Sequence, residues 1–485
     1  MEFRGKQWAS ACLIFGLLSV VMSSAFAAEP TLENWIKTQT ARSLDQIERS
    51  ISPSDGAIGS VMASPSRSNP NYYFYWVRDA AIVMREVWAF RTLNPGYARN
   101  TLKDYALFSK RNQATDNRSG YAYDLGLGEP KFEMSGAPYE ADWGRPQNDG
   151  PALRVLALLG LADDLMRSGE TEFVYRNLYT PALPARTVIK ADLEFVAHHW
   201  SDPSFDLWEE VKGDHFYTRI VQWRALEEGA AFAKKMGDPE AARFYSAQAV
   251  RVQDSLDHFW STSRDYLVAT RNWVGGHAPE EKPSLLDVAV LLGALHAGKS
   301  GSPFYVDDDR VIATMDALTK TFADTYSINR RSRNEDGLEM APGIGRYSED
   351  RYDGYSSEGL GNPWFLATHA MAEALLRLRG ELASRGEVRI TVLSEPFFSD
   401  LVGQPLIRGG RVYGDDPLFK TILRALETRS DAFIRRAQFH SGEGGHQSEQ
   451  FNRDHGEMQG ARDLTWSYAS FLSLRRIREQ AYGGF

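Results

Sequence analysis

The sequence predicts an all-α protein, an (α/α)6 barrel of twelve helices in six hairpins with an elaborated mouth at one end. Three observations carry this expectation. Apolar residues recur with the 3.6-residue period of amphipathic helices along most of the 485 residues. Only 389–392 reads as an isolated strand. The connections alternate between long and short, and if consecutive helices run antiparallel, every long one emerges at the same end of the bundle.

In chain order, Arg4 and Lys6 precede an apolar run from Trp8 to about Met22, and Ala25-Phe26-Ala27 forms a small-residue cleavage site. This is the three-part pattern of a secretory signal, so 1–27 is expected to be removed and the protein to be secreted or periplasmic. The run is too short for a good transmembrane helix. The one cysteine, Cys12, lies inside it, so residues 28–485 have no disulfide, no thiolate nucleophile and no cysteine metal site.

Helices are then expected near 31–51, 75–91, 97–114, 149–167, 183–200, 215–236, 238–260, 285–297, 307–324, 362–380, 415–430 and 463–481. Asp149-Gly150-Pro151 and Asn362-Pro363 place a proline at a helix start, where its missing N–H costs nothing. The long connections are 52–74, 115–148, 201–214, 261–284, 325–361 and 431–462, while 92–96 and Gly237 are brief links. The segment 381–414 finds no place in this scheme. No linker divides 28–485, which is read as one catalytic domain with no starch-binding module after it.

Composition narrows the chemistry. With 43% hydrophobic and 25% charged residues the chain has an ordinary globular make-up. Its net charge of −9 repels phosphate backbones and anionic lipid, which argues against nucleic acid or membrane partners. Twelve Trp and 21 Tyr supply flat rings with one polar edge, suited to neutral polar ligands such as sugars. No His pair has helical metal-ligand spacing, and Asp307-Asp308-Asp309 reads as a solvated helix start, so no metal or cofactor is expected.

The chemical residues fall in the long loops. Tyr72 to Asp79 is an aromatic run ending in an Arg-Asp pair, which an aromatic helix start with a surface ion pair explains equally well. Trp143 sits among Gly and Pro, which fix a turn able to present its indole. Trp208-Glu209-Glu210 places two adjacent carboxylates beside an indole. They diverge on any regular backbone, so one is free to be buried with a raised pKa while the other faces a ligand; a solvated acidic pair is the plainer alternative. Glu449 lies in a polar, Gly-rich stretch of the sixth loop. Two carboxylates from different loops of one mouth, among Trp, Tyr and Arg, suggest glycoside hydrolysis.

Nine stretches carry a resemblance: 52–58 (SPSDGAI), 72–79 (YYFYWVRD), 128–132 (GEPKF), 142–154 (DWGRPQNDGPALR), 206–211 (DLWEEV), 345–350 (GRYSED), 361–366 (GNPWFL), 448–451 (SEQF) and 461–469 (ARDLTWSYA). In this order they make the chain similar to the glucoamylase family, glycoside hydrolase family 15. The resemblance implies an (α/α)6 barrel and an inverting exo-hydrolase that releases β-D-glucose from non-reducing ends of starch and maltooligosaccharides. By matching motifs, Glu209 would be the general acid and Glu449 the general base. Tyr72 and Trp76 would wall the glucosyl pocket, Arg78 and Asp79 would grip hydroxyls of the terminal sugar, and Trp143 would stack near the cleavage point. Glu210 and Arg346 would hold hydroxyls on either side of the bond, and Trp208, Trp364 and Trp466 would complete the lining. The partner would be an α-glucan or maltooligosaccharide, and the protein a monomer.

The chain departs from the family after Glu210, where Lys212-Gly213-Asp214-His215 replaces an uncharged Asn before Gly and makes Lys212 a candidate for the leaving-group side. A glucodextranase or trehalase specificity, and a non-catalytic sugar-binding barrel, are the alternatives. The last would need neither Glu209 nor Glu449.

Overall fold

A computed structural model describes residues 31–482, so the expected leader at 1–27 lies outside the described residues. Fourteen α-helices follow in order: α1 (Leu32–Ser50), α2 (Val77–Ala89), α3 (Pro95–Gln113), α4 (Gly150–Ser168), the single turn α5 (Thr171–Phe173), α6 (Val188–His199), α7 (Phe216–Lys235), α8 (Pro239–Leu256), α9 (Ala289–Ala297), α10 (Asp309–Thr325), α11 (Phe365–Arg385), α12 (Glu395–Val402), α13 (Pro417–His440) and α14 (Thr465–Tyr482). Twelve of these are the expected helices.

Six of them close a ring. α2 packs on α4, α4 on α7, α7 on α9, α9 on α11, α11 on α14, and α14 returns to α2. The others lie outside: α1 on α14, α6 on α4, α8 on α7, α10 on α9 and α13 on α11, with α3 against α2, α4 and α6. The sequence explains the two layers. α9 reads AVLLGALHA and buries every residue but His296, as a helix enclosed on all sides must. In α1, by contrast, Trp35, Ile36, Gln39, Ser43, Gln46 and Ile47 form one buried stripe.

The helix starts differ in the same way. Of the outer helices, α1, α3, α8, α10 and α13 begin on capping side chains: Thr31, Asn94, Asp238, Asp308 and Asp416 each accept a hydrogen bond from a first-turn N–H, whereas Thr187 before α6 does not. The inner helices α2, α4, α7, α9 and α11 have no side-chain cap, and their first residues follow Trp76, Asp149, His215, Val288 and Trp364. Five of the long loops lead from an outer helix into one of these starts, and the sixth leads from α13 into α14. The ends carrying partial positive charge therefore gather around one mouth.

Several expectations are corrected. The strand expected at 389–392 is Glu387–Arg389, paired antiparallel with Arg411–Tyr413, and this hairpin with α12 forms the segment left without a place. α12 lies on α10 and α13, so the segment is an outer appendage to the barrel. Other short strands brace the loops, among them Ser204–Phe205, Val211–His215 and Thr270–Gly276 in one three-stranded sheet. α13 runs ten residues past 430 because Phe433, Ile434 and Ala437 extend its buried stripe, which shortens the sixth loop. α6 starts at Val188 rather than 183, after Pro181 and Pro184, whose rings suit no helix interior.

Candidate active site

The twelve residues to which the resemblance gives a role line one cavity of about 290 Å3. They are Tyr72, Trp76, Arg78, Asp79, Trp143, Trp208, Glu209, Glu210, Arg346, Trp364, Glu449 and Trp466. Ala63, Leu207, His277, Tyr352, Ser357 and Leu464 join them.

The first wall forms where the chain turns into α2. Tyr75–Trp76 pairs with Lys131–Phe132, and this short ladder holds Trp76 in place as α2 begins. Arg78 is buried, and its Nη1 donates to Gln147 Oε1 (2.9 Å) and Asp149 Oδ2 (2.8 Å). Its Nη2 is 3.8 Å from Glu209 Oε1, and its Nε is 3.8 Å from Asp79 Oδ2. Burial pushes the Asp79 carboxyl up to about 7, against the pull of the Arg78 charge.

Glu209 sits in the tight turn between Ser204–Phe205 and Val211–His215. Asp206 organises it by accepting from the N–H groups of Glu210 (2.8 Å) and Val211 (3.1 Å). Glu209 itself has φ of 68°, a left-handed conformation that is strained for a residue with a side chain. Gly144 packs against this turn, and a Cβ there would stand 2.5 Å from the Glu209 carbonyl oxygen. The adjacent acids diverge as expected. Glu209 Oε1 accepts from Trp76 Nε1 (2.7 Å) and Gln147 Nε2 (3.1 Å). Glu210 turns instead to Arg346 Nη2 (2.7 Å) and the Tyr347 hydroxyl (2.7 Å), and burial raises its carboxyl. Behind it, buried Lys282 meets Asp287 at 2.6 Å, and Asp287 accepts from Trp208 Nε1 at 3.0 Å.

Glu449 enters from the sixth loop, beside the strand Gln450–Phe451 that bridges to Trp364. Its Oε2 accepts from the Tyr352 hydroxyl (3.2 Å), which in turn lies 2.9 Å from the Tyr72 hydroxyl. Its Oε1 is buried without a protein partner, an acceptor left for a polar guest. A side chain at Gly460 would collide with Glu449 Oε2. Burial pushes the Glu449 carboxyl up to about 7, opposed by the Tyr72 hydroxyl, the Arg346 charge, the Ala461 N–H and the Tyr352 hydroxyl.

Indoles close the rest. Trp76 and Trp143 stand 6.0 Å apart between ring centroids, and Trp208 and Trp364 5.6 Å apart. Arg346 is locked by Asp350, with Nε to Oδ2 at 2.8 Å. Lys212 does not reach the cavity: it lies on Val211–His215, opposite Phe205 and Gly275. The residue near Glu210 that lines the cavity is His277, whose N–H donates to the Glu210 carbonyl (2.9 Å). Among the described residues no group of His, Cys, Asp or Glu is arranged to hold a metal, and Asp308 caps α10 as its run of acids suggested. Sequence reasoning gave no role to Gln147, although it lies in the quoted stretch 142–154, and missed Tyr352, Lys282 and Asp287, isolated polar residues that only the fold brings to the carboxylates.

Residues 41–476 match the family model described as glycosyl hydrolases family 15. A glucoamylase of Blastobotrys adeninivorans is 38% identical over 456 residues, which covers 93% of this chain and 72% of that protein. An intracellular sporulation-specific glucoamylase of Saccharomyces cerevisiae is 33% identical, covering 93% of this chain and 84% of its own length. Among solved structures, the glucoamylase of Saccharomycopsis fibuligera superposes with a TM-score of 0.83 at 30% identity, over 95% of this chain and 98% of that one. The family 15 glucoamylase of Hypocrea jecorina gives a TM-score of 0.83 at 32% identity, over 93% and 73%.

Proposed function

The chain belongs to the glycosyl hydrolases of family 15 and is a glucan 1,4-α-glucosidase, and from that premise we propose that it removes β-D-glucose from non-reducing chain ends with Glu209 as general acid and Glu449 as general base. The observation that carries this reading is that two carboxylates from different loops face one cavity with different partners. Glu209 is held by N–H donors of Trp76 and Gln147, which aim its carboxyl at a leaving oxygen. Glu449 is held through one oxygen only, and the other is left to orient and deprotonate a water. In an inverting hydrolase the acid protonates the glycosidic oxygen as the bond breaks, while the base takes a proton from water attacking the opposite face of the anomeric carbon.

The remaining groups serve that displacement. Arg78 and Asp79 close the end of the cavity that takes the terminal glucosyl unit, which makes the action exo. Glu210 and Arg346, cross-linked to each other, bind hydroxyls flanking the bond. Trp143 covers the cleavage point, and Trp208, Trp364 and Trp466 exclude water from the developing oxocarbenium charge. Soluble maltooligosaccharides acted on by a monomer, after export directed by residues 1–27, complete the reading. Glucose release from maltose, isomaltose, trehalose, dextran and soluble starch tests it: maltose and starch should be the best substrates, and a preference for trehalose or dextran would overturn the linkage assignment.

A further inference from the structure

The segment Gly128-Glu129-Pro130-Lys131-Phe132 contributes no side chain to the cavity, yet Lys131 is buried immediately behind its wall. The ammonium is surrounded by rings. Its Nζ lies 3.5 Å from the ring centroid of Trp143, 4.0 Å from Tyr139, 4.2 Å from Phe74 and 4.5 Å from Trp76. A desolvated ammonium is attracted to the aromatic faces it lies against, so this contact is a strong orienting force. The rings also brace one another, with Tyr139 edge-on to Trp143 at 5.7 Å and Phe74 edge-on to Trp76 at 6.1 Å. The cage therefore fixes two of the indoles that line the cavity, and one of these donates its N–H to Glu209 at 2.7 Å.

We propose that Lys131 is a positioning residue for the proposed general acid: its ammonium fixes Trp143 over the cleavage point and polarises the Trp76 N–H toward Glu209. A cation on an indole face draws electron density from the ring and makes the ring N–H a stronger donor. It strengthens the bond that aims the Glu209 carboxyl while standing outside the space the substrate fills. The charged groups facing the ammonium are Glu209, Glu133 and Arg145. Burial lowers the Lys131 pKa to about 8 while Glu209 and Glu133 oppose that shift, so the cage holds a cation at neutral and acid pH and loses it on moderate alkalinisation.

This inference rests on Glu209 being the acid, and the test separates the two. Lys131→Met keeps the length and removes the charge; Lys131→Arg keeps the charge. On maltose Lys131→Met should lose about tenfold in kcat, equivalent to about 1.4 kcal/mol, with KM changed by less than about twofold. On α-glucosyl fluoride, whose leaving group needs little protonation, the loss should be several-fold smaller, and Lys131→Arg should recover part of the maltose rate. Equal losses on both substrates, or a maltose kcat within about twofold of the parent, would overturn the proposal. If Glu209→Gln also failed to distinguish the two substrates, it would be the acid assignment that fell. Tryptophan emission supplies a readout free of turnover: the parent should show a pH-dependent component with a midpoint near 8 that Lys131→Met lacks. Should Lys131→Met not fold, a parent emission profile with no transition anywhere from about pH 6 to 10 would refute an ammonium acting on these rings.

Discussion

Replacing Tyr352 with Phe removes one hydroxyl from the surroundings of Glu449 and leaves the ring in place. That hydroxyl donates to Glu449 Oε2 at 3.2 Å and is the partner of the Tyr72 hydroxyl at 2.9 Å. As a general base Glu449 must be ionised, and burial has already pushed its carboxyl up to about 7, so the active form is lost as pH falls through that value. A donor to the ionised form lowers the pKa; its removal raises the pKa further, and the acid limb of kcat/KM moves to higher pH. A hydrogen bond to a charged group contributes about 1.5–3 kcal/mol, and the length of this one places it at the low end of that range. About 1.4 kcal/mol is one pKa unit, so the limb should rise by about one unit. Below it, Tyr352→Phe should be about tenfold slower on maltose, while above it the two enzymes should converge. Glucose release across the pH range measures both. A limb that stays in place, or a uniform loss at every pH, would refute the assignment of this limb to Glu449.

Three further outcomes follow. Glu209→Gln should lose about 10²–10⁴-fold on maltose and far less on α-glucosyl fluoride, and a matched loss would remove Glu209 as the acid. Gly144→Ala places a methyl 2.5 Å from the Glu209 carbonyl oxygen and must displace the turn, so kcat/KM should fall by about tenfold or more; an unchanged rate would show that the turn yields freely. Lys212→Asn should leave the ratio of maltose to isomaltose activity unchanged, because Lys212 lies on the strand away from the cavity, whereas His277→Ala should change it. The reverse pattern would return the leaving-group side to Lys212.

Much of the fold was legible because alternation of loop length is a property of the chain itself. Three outer helices start on a capping residue followed by proline, Asn94-Pro95, Asp238-Pro239 and Asp416-Pro417, within two residues of the expected positions. The larger errors in helix starts fall at α6, α9 and α11, whose N-cap residues Thr187, Val288 and Trp364 make no capping hydrogen bond. At α9 and α11, moreover, the residues just before the helix serve the site rather than the helix. Of the hairpin at 387–413 the first strand was expected, displaced to 389–392, while its partner Arg411–Tyr413 escaped because three-residue strands have too few alternations to stand out from the pattern around them. At the site, residues within motifs could be named, since aromatic runs and paired acids are visible in one dimension. Lys282, Asp287 and Tyr352 could not, because a lone buried charge or hydroxyl acquires meaning only from the partner that folding brings to it. Lys212 shows the converse: a change of charge beside a motif suggested a contact that the alternation of Val211–His215 directs elsewhere.

The stereochemistry of the first product tests the central claim most directly. If Glu209 protonates the leaving oxygen while Glu449 delivers water to the opposite face, the new hydroxyl appears with inverted configuration. Proton NMR of an α-linked substrate, followed from mixing and faster than mutarotation, should then show the β-anomer of glucose first, with the α-anomer growing in later. Initial release of α-glucose would mean a double displacement through a covalent intermediate, and would contradict the roles assigned to both carboxylates.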